Sequence, residues 1–116
     1  MKWTAVLVLT TLLSGCGHGA ASEPSSAPLT VPEALSQPST TRTVRVDGYV
    51  LAHPDGSVRL CAGLSGSYPP QCGGPALTVR GLDLARLDQA DHASGVTWAR
   101  ATLTGILSRS VLTIED

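Results

Sequence analysis

Three cysteines (Cys16, Cys61 and Cys72), three histidines and nine carboxylates are the residues of this 116-residue chain whose types can do chemistry. Nucleophilic catalysis needs a nucleophile with a base beside it. The run Gly63-Leu64-Ser65-Gly66-Ser67 approaches a nucleophile elbow, but its fifth position is serine and no strand-to-helix turn follows. His53 abuts a Pro-Asp-Gly turn and His92 follows a run suited to a short helix, so both are expected at the surface. Asp83 suits a helix cap, and Asp88 and Asp91 suit a solvated helix face, which leaves glycosidase chemistry without a carboxylate pair. A metal site would have to combine His53 and His92 with Cys61 and Cys72, whereas zinc-binding cysteines come in closely spaced pairs. There is no Cys-x-x-Cys and no phosphate-cradling Gly-rich loop ending in Gly-Lys. The residues therefore read as non-enzymatic, with no cofactor and no metal.

One constellation is electrostatic. Arg45, Arg59 and Arg80 occupy outward positions on three successive predicted strands, and if those strands are neighbours their guanidinium groups form a stripe. With Tyr49 and the Tyr68-Pro69-Pro70 segment nearby, the stripe is a candidate site for a phosphate-bearing wall polymer, a lipid headgroup or an acidic protein patch. The bland alternative is a solvated strand face, partly neutralised by Asp47.

The stage for these residues is set by the N-terminus. Met1-Lys2 carries positive charge, and an apolar run of eleven residues from Trp3 to Leu13 follows, too short to span a bilayer. The run ends in Leu13-Ser14-Gly15-Cys16, which resembles the lipobox of bacterial lipoproteins. The resemblance implies that residues 1–15 are a signal peptide removed by signal peptidase II. It also implies that Cys16 is the lipidation site, acylated on its sulfur, and that the chain sits on the extracytoplasmic face of the cell membrane. Each buried acyl methylene adds about 0.8 kcal/mol, so two or three chains hold firmly.

After such cleavage seven Arg face nine Asp and Glu, a formal charge of 7 − 9 = −2, and the remaining aromatics are Tyr49, Tyr68 and Trp98. A negative chain with so few stacking rings and an export signal is a poor match for nucleic acid. From residue 16 to residue 40 the composition is Ser, Ala, Thr and Pro, with Pro24, Pro28, Pro32 and Pro38 opposing regular structure. This reads as a lipid-anchored linker, about 25 Å long if coiled and about 75 Å if stretched. A single helical turn at Pro32-Glu33-Ala34-Leu35 is compatible with proline at a first helical position.

Residues 41–116 read as one small β domain. Period-two alternation runs from Thr43 to Ala52, with Val44, Val46, Gly48, Val50 and Ala52 on one face, and Gly48 marks a bend or a close approach. Strands follow at Ser57–Cys61 and Ala76–Arg80, with a long Gly/Pro-rich loop between them. Next comes a short helix within 81–90, capped by Asp83, presenting Leu84 and Leu87 and stopped by Gly95. Val96–Trp98, Ala101–Leu107 and Val111–Ile114 supply the closing hairpin. Three strands, a helix and a hairpin resemble small secreted OB-like lipoproteins, which implies an all-β fold with one short helix, a five-stranded Greek-key barrel. An SH3-like barrel or a small sandwich fits the same order.

With Cys16 lipidated, Cys61 and Cys72 are the two thiols left in a compartment where disulfides persist, so they are expected to pair. The expected function is a membrane-anchored binding or adaptor module of the cell envelope, its partner an envelope protein or an anionic wall polymer. The alternative is a structural or inhibitory lipoprotein whose disulfide-closed loop 61–74 plugs a partner enzyme.

Overall fold

The computed structural model describes residues 27–39 and 41–115; the expected signal peptide, Cys16 and the first part of the expected linker lie outside the described residues. The described chain is mostly β. Strict alternation makes Thr43–Ala52 a ten-residue strand, β2, with Val46, Val50 and Ala52 buried on its inward face. It is preceded by a two-residue strand, β1 (Leu29–Thr30), and the one α-helix among the described residues, α1 (Val31–Leu35). It is followed by β3 (Val58–Leu64), β4 (Cys72–Arg80), β5 (Asp91–Ala93), β6 (Val96–Ser108) and β7 (Val111–Ile114).

β2 pairs antiparallel with β3 through its last four residues, and on its other edge with β6 along its whole length. β3 pairs antiparallel with β4, β4 parallel with β7, and β7 antiparallel with β6. β1 lies parallel to β2 at Val46 and Asp47, and β5 lies against the start of β6.

The main core is aliphatic. Val46, Val50, Leu60, Leu77, Leu103 and Leu112 come from five different strands and meet on the inward side. Val31 and Ala34 of α1 join them, at 1% and 0% exposure. Gly48 lets them in: a Cβ there would lie 3.1 Å from Val31 Cγ2 and 2.8 Å from the Cys61 carbonyl oxygen. The expectation of a close approach at this glycine is met by the helix.

Part of the stretch expected as linker is thus folded, and the packed body begins at Leu29 and not at residue 41. Its prolines do not prevent this, because Pro32 falls in the first helical turn, where a missing N–H costs nothing. A capping box starts the helix: the Glu33 amide donates to Thr30 Oγ1 at 3.2 Å and the Thr30 amide donates to Glu33 Oε1 at 2.9 Å. Thr30→Ala should lower stability by about 1 kcal/mol, read as a shift of the urea midpoint at unchanged slope.

The helix expected within 81–90 is absent. Asp83 does cap the segment, its carboxylate accepting from the Ala85 amide at 3.0 Å, but the turn it starts is a 3-10 turn of three residues, Leu84–Arg86. Leu87 is already extended and Gln89 has φ 56°, so the chain reverses before a second turn can form. Leu84 and Leu87 still pack on the main core, since spacing by three places both on one side of a 3-10 turn as well. Gly95 stops no helix; with Ser94 it forms the turn of the β5–β6 hairpin, both residues at positive φ.

Candidate binding face

A second, smaller cluster lies on the outward side of the sheet. Odd positions of β2 point outward, yet Leu51 is 1% exposed, because Cys61, Val96, Leu64, Cys72, Ala76 and Trp98 gather over it. β3 and β4 form a longer hairpin than the sequence predicts: β3 runs on to Leu64 and β4 begins at Cys72, so only residues 65–71 remain as loop. The Cys61–Cys72 disulfide ties this arm together, with Cα atoms 5.4 Å apart, across the register shift between Cys61 and Gly63.

The loop is braced from inside. The Ser65 amide donates to the Gln71 carbonyl at 2.8 Å, the Gln71 amide donates to Ser65 Oγ at 3.3 Å, and Ser67 Oγ donates to the Pro69 carbonyl at 2.9 Å. Its tip presents Tyr68, 78% exposed, edge-on to Trp98 with ring centroids 5.7 Å apart. Trp98 is directly opposite Leu51, and Leu51 is opposite Arg59 of β3, so one transverse row carries ring, aliphatic and cation. Tyr49 stands one outward position along β2 from Leu51, opposite Arg100, whose guanidinium lies 5.4 Å from the Tyr49 ring centroid.

Arg100 also donates to Asp47 Oδ2 at 2.8 Å, and Thr102 Oγ1 approaches Oδ1 at 3.4 Å. The Arg100 guanidinium holds the Asp47 carboxyl below the ordinary carboxylate range, against the opposing pull of partial burial. A value lowered on folding gives stability that is present above the ordinary carboxylate range and lost as pH falls through the lowered value. Asp47→Asn should therefore lower the urea midpoint slightly at neutral pH and leave it unchanged once both carboxyl states are protonated. The effect is small because Arg100 is 63% exposed.

The expected arginine stripe is rearranged. Arg59 stands opposite Thr78, and Arg80 is the next outward position on β4, a diagonal of about 7–8 Å. Arg45 is not with them. β3 covers only residues 49–52 of β2, so Arg45 is six positions, about 20 Å, from the residue facing Arg59, and it lies opposite Thr104 of β6 instead. Arg109, in the β6–β7 turn, takes its place by sharing a depression with Arg80, Ser108, Val111 and Thr113. The guanidinium groups of Arg59, Arg80 and Arg109 carry no ion pair among the described residues. A second depression of about 270 Å³, lined by Leu51, His53, Arg59, Gln71 and Cys72, lies beside the loop. It offers hydrogen-bond donors and an apolar wall and contains no carboxylate.

The remaining candidates are scattered. His53 closes the β2–β3 turn through its backbone, its N–H donating to the Ser57 carbonyl at 2.9 Å. In the same turn the Ser57 amide donates to Asp55 at 2.8 Å and holds that carboxyl below its ordinary range. His92 lies on exposed β5, and its Nδ1 is 3.0 Å from Thr97 Oγ1 because the hairpin sets the two residues opposite each other. No concavity described above includes that pair. Asp88 and Asp91 lie in a turn and on β5, not on a helix face. Cys61 and Cys72 are spent on their disulfide, so the four-ligand metal set is not assembled, and no cluster of three metal-binding side chains occurs among the described residues. No protein-family model, curated protein or solved structure gives a significant match to the chain.

Proposed function

We propose that this chain is a bacterial lipoprotein, cut before Cys16 and held by lipid on the extracytoplasmic face of the cell membrane. Its folded part acts there as a non-enzymatic binding module of the cell envelope. The anchor reading rests on the motif Leu13-Ser14-Gly15-Cys16 behind a short apolar run. For the fold we favour a five-stranded OB-like Greek-key barrel. Support comes from a chain of pairings that runs β2–β3–β4–β7–β6 and returns through β6–β2, with β4–β7 its parallel pair.

The observation that carries the function is the placement of Tyr49, Tyr68 and Trp98. Aromatic side chains usually dominate the core of so small a domain, yet the main core contains none of the three, and all lie on the outward face around the disulfide arm. Such rings give a binding surface contact area at low entropic cost. The chemistry of the face suits an envelope protein or an anionic polymer. A photoreactive residue at position 68, in the chain expressed in its own envelope, should give discrete adducts that Trp98→Ala weakens. A label at Thr104, on another part of the surface, should not give them; identical adducts from both positions would sink the reading.

A second reading is favoured by Tyr68 at the tip of a clasped loop: the loop itself enters and blocks a partner enzyme. Scrambling residues 65–71 while keeping both cysteines abolishes capture in that case, whereas binding through the Tyr49 and Arg100 part of the face survives it.

A further inference from the structure

We propose that, when no protein occupies it, this face rests on the anionic surface of the bilayer to which the chain is anchored, with Tyr68 at the lipid interface and Arg59, Arg80 and Arg109 over phospholipid phosphates. The inference rests on the membrane-tethered reading above and names what the face meets.

The length of the leash argues for it. Because the folded body begins at Leu29, residues 17–28 are all that separates it from Cys16. Twelve residues span at most about 40 Å even fully extended, half the reach that a linker ending at residue 40 would have. A body on so short a leash stays near headgroups at high effective concentration, so contacts too weak to bind from solution suffice to orient it. The leash joins at Leu29, opposite Val46, which is about 17 Å along β2 from Leu51. The face is therefore within reach of the surface that holds the lipid.

Charge and ring chemistry argue for it independently. Arg59, Arg80 and Arg109 are exposed and have no carboxylate partner among the described residues, although the chain as a whole is slightly acidic. The concavity at Arg59 is walled by an aliphatic side chain and a disulfide and adds His53 and Gln71 as further donors. Beside it Tyr68 and Trp98 present rings with polar tips, the side-chain type that settles at the headgroup level. Opposing charges border the face at Asp55, which interacts electrostatically with His53, and at Asp91, directly across β5–β6 from Trp98, so Asp91→Asn should strengthen the contact.

The test uses the lipidated chain, extracted from membranes and reconstituted into vesicles of phosphatidylcholine with or without phosphatidylglycerol. Loss of residues 1–15 leaves Trp98 as the sole tryptophan, so quenching by brominated acyl chains reports docking directly. Quenching should require phosphatidylglycerol and fade with added salt. Arg59→Gln or Arg80→Gln should each lower the docked-to-undocked ratio about fivefold, the equivalent of about 1 kcal/mol per arginine at an anionic surface. Tyr68→Ser should lower it too, with circular dichroism showing the fold intact. Equal quenching without anionic lipid, indifference to both arginine substitutions, or release by inorganic phosphate beyond the effect of chloride at equal ionic strength would each overturn the proposal. A chain lacking acyl mass overturns the anchored reading as well. A reconstituted chain whose Trp98 stays unquenched, while position 68 still crosslinks to a protein, overturns the bilayer contact alone.

Discussion

Gly105→Ala should cost about 3 kcal/mol, the largest effect expected of any single methyl group added to this protein. Gly105 is paired on both sides, with Val44 of β2 and Ile114 of β7, at the point where β6 passes from one neighbour to the other. A Cβ there would run into the Thr113 carbonyl oxygen, with the Thr113 carbonyl carbon at 2.8 Å and Ile114 Cα at 3.1 Å. Those are backbone atoms held by the β6–β7 ladder, so relief requires moving a strand and not rotating a side chain. Gly66→Ala, where nothing lies within 4 Å of the added carbon, is the control and should stay within about 0.5 kcal/mol of the parent. Urea unfolding of both variants decides the matter. A Gly105→Ala protein as stable as the Gly66→Ala control would mean that β6 and β7 are not packed this closely.

The same residue shows where sequence reading stops. In the sequence Gly105 is one more member of the alternating run Ala101–Leu107, and nothing local marks it as a crossing point; the demand comes from Thr113, which only the fold brings near. By contrast Thr43–Ala52 and Val111–Ile114 are legible to the residue, because strong Val/Leu/Ile alternation ends at polar turns. β6 reads as two pieces because Ala99 and Ala101 give little apolar contrast around Arg100, yet its inward residues simply continue through the gap. The 81–90 segment misleads because an Asp cap and leucines three apart are shared by a single 3-10 turn and a true helix. Two signals were readable but outweighed by composition. Thr30-Val31-Pro32-Glu33 is a capping box inside a proline-rich stretch, and Ser94-Gly95 is a two-residue hairpin turn where a helix end was expected.

The candidate face was legible in its parts and not in its arrangement. Tyr49, Tyr68, Arg59 and Arg80 are all readable as outward residues, but which outward residues meet depends on register. A ten-residue β2 covered by β3 over only four residues separates Arg45 from Arg59. Trp98 and Arg109 have no local signal that links them to the others. Trp98 joins through β6–β2 pairing. Arg109 joins because the β6–β7 turn lies beside Thr78 of β4, which faces Arg59 and stands one outward position from Arg80, with the Thr78 amide donating to the Ser110 carbonyl.

Replacing Cys61 and Cys72 together by Ala should lower stability by about 3 kcal/mol, chiefly because the unfolded chain regains the freedom of the closed loop, whose ends are 11 residues apart. Against the roughly 5–15 kcal/mol that separates folded from unfolded states in single domains, that is a large share for so small an aliphatic core. The loss should not be uniform. Val46, Val50, Leu60 and Leu77 pack on the inward side without help from the disulfide, so the strand pairings survive. Leu51, at 1% exposure, depends on the arm that the disulfide holds over it, and so does the placement of Tyr68 against Trp98. The double variant should therefore keep its far-ultraviolet circular dichroism at low urea while amide exchange accelerates first in residues 61–72 and at Leu51. An unfolding free energy within about 1 kcal/mol of the parent, with exchange unchanged in the arm, would show that the hydrogen bonds of the loop and the outward cluster hold the face without the covalent link.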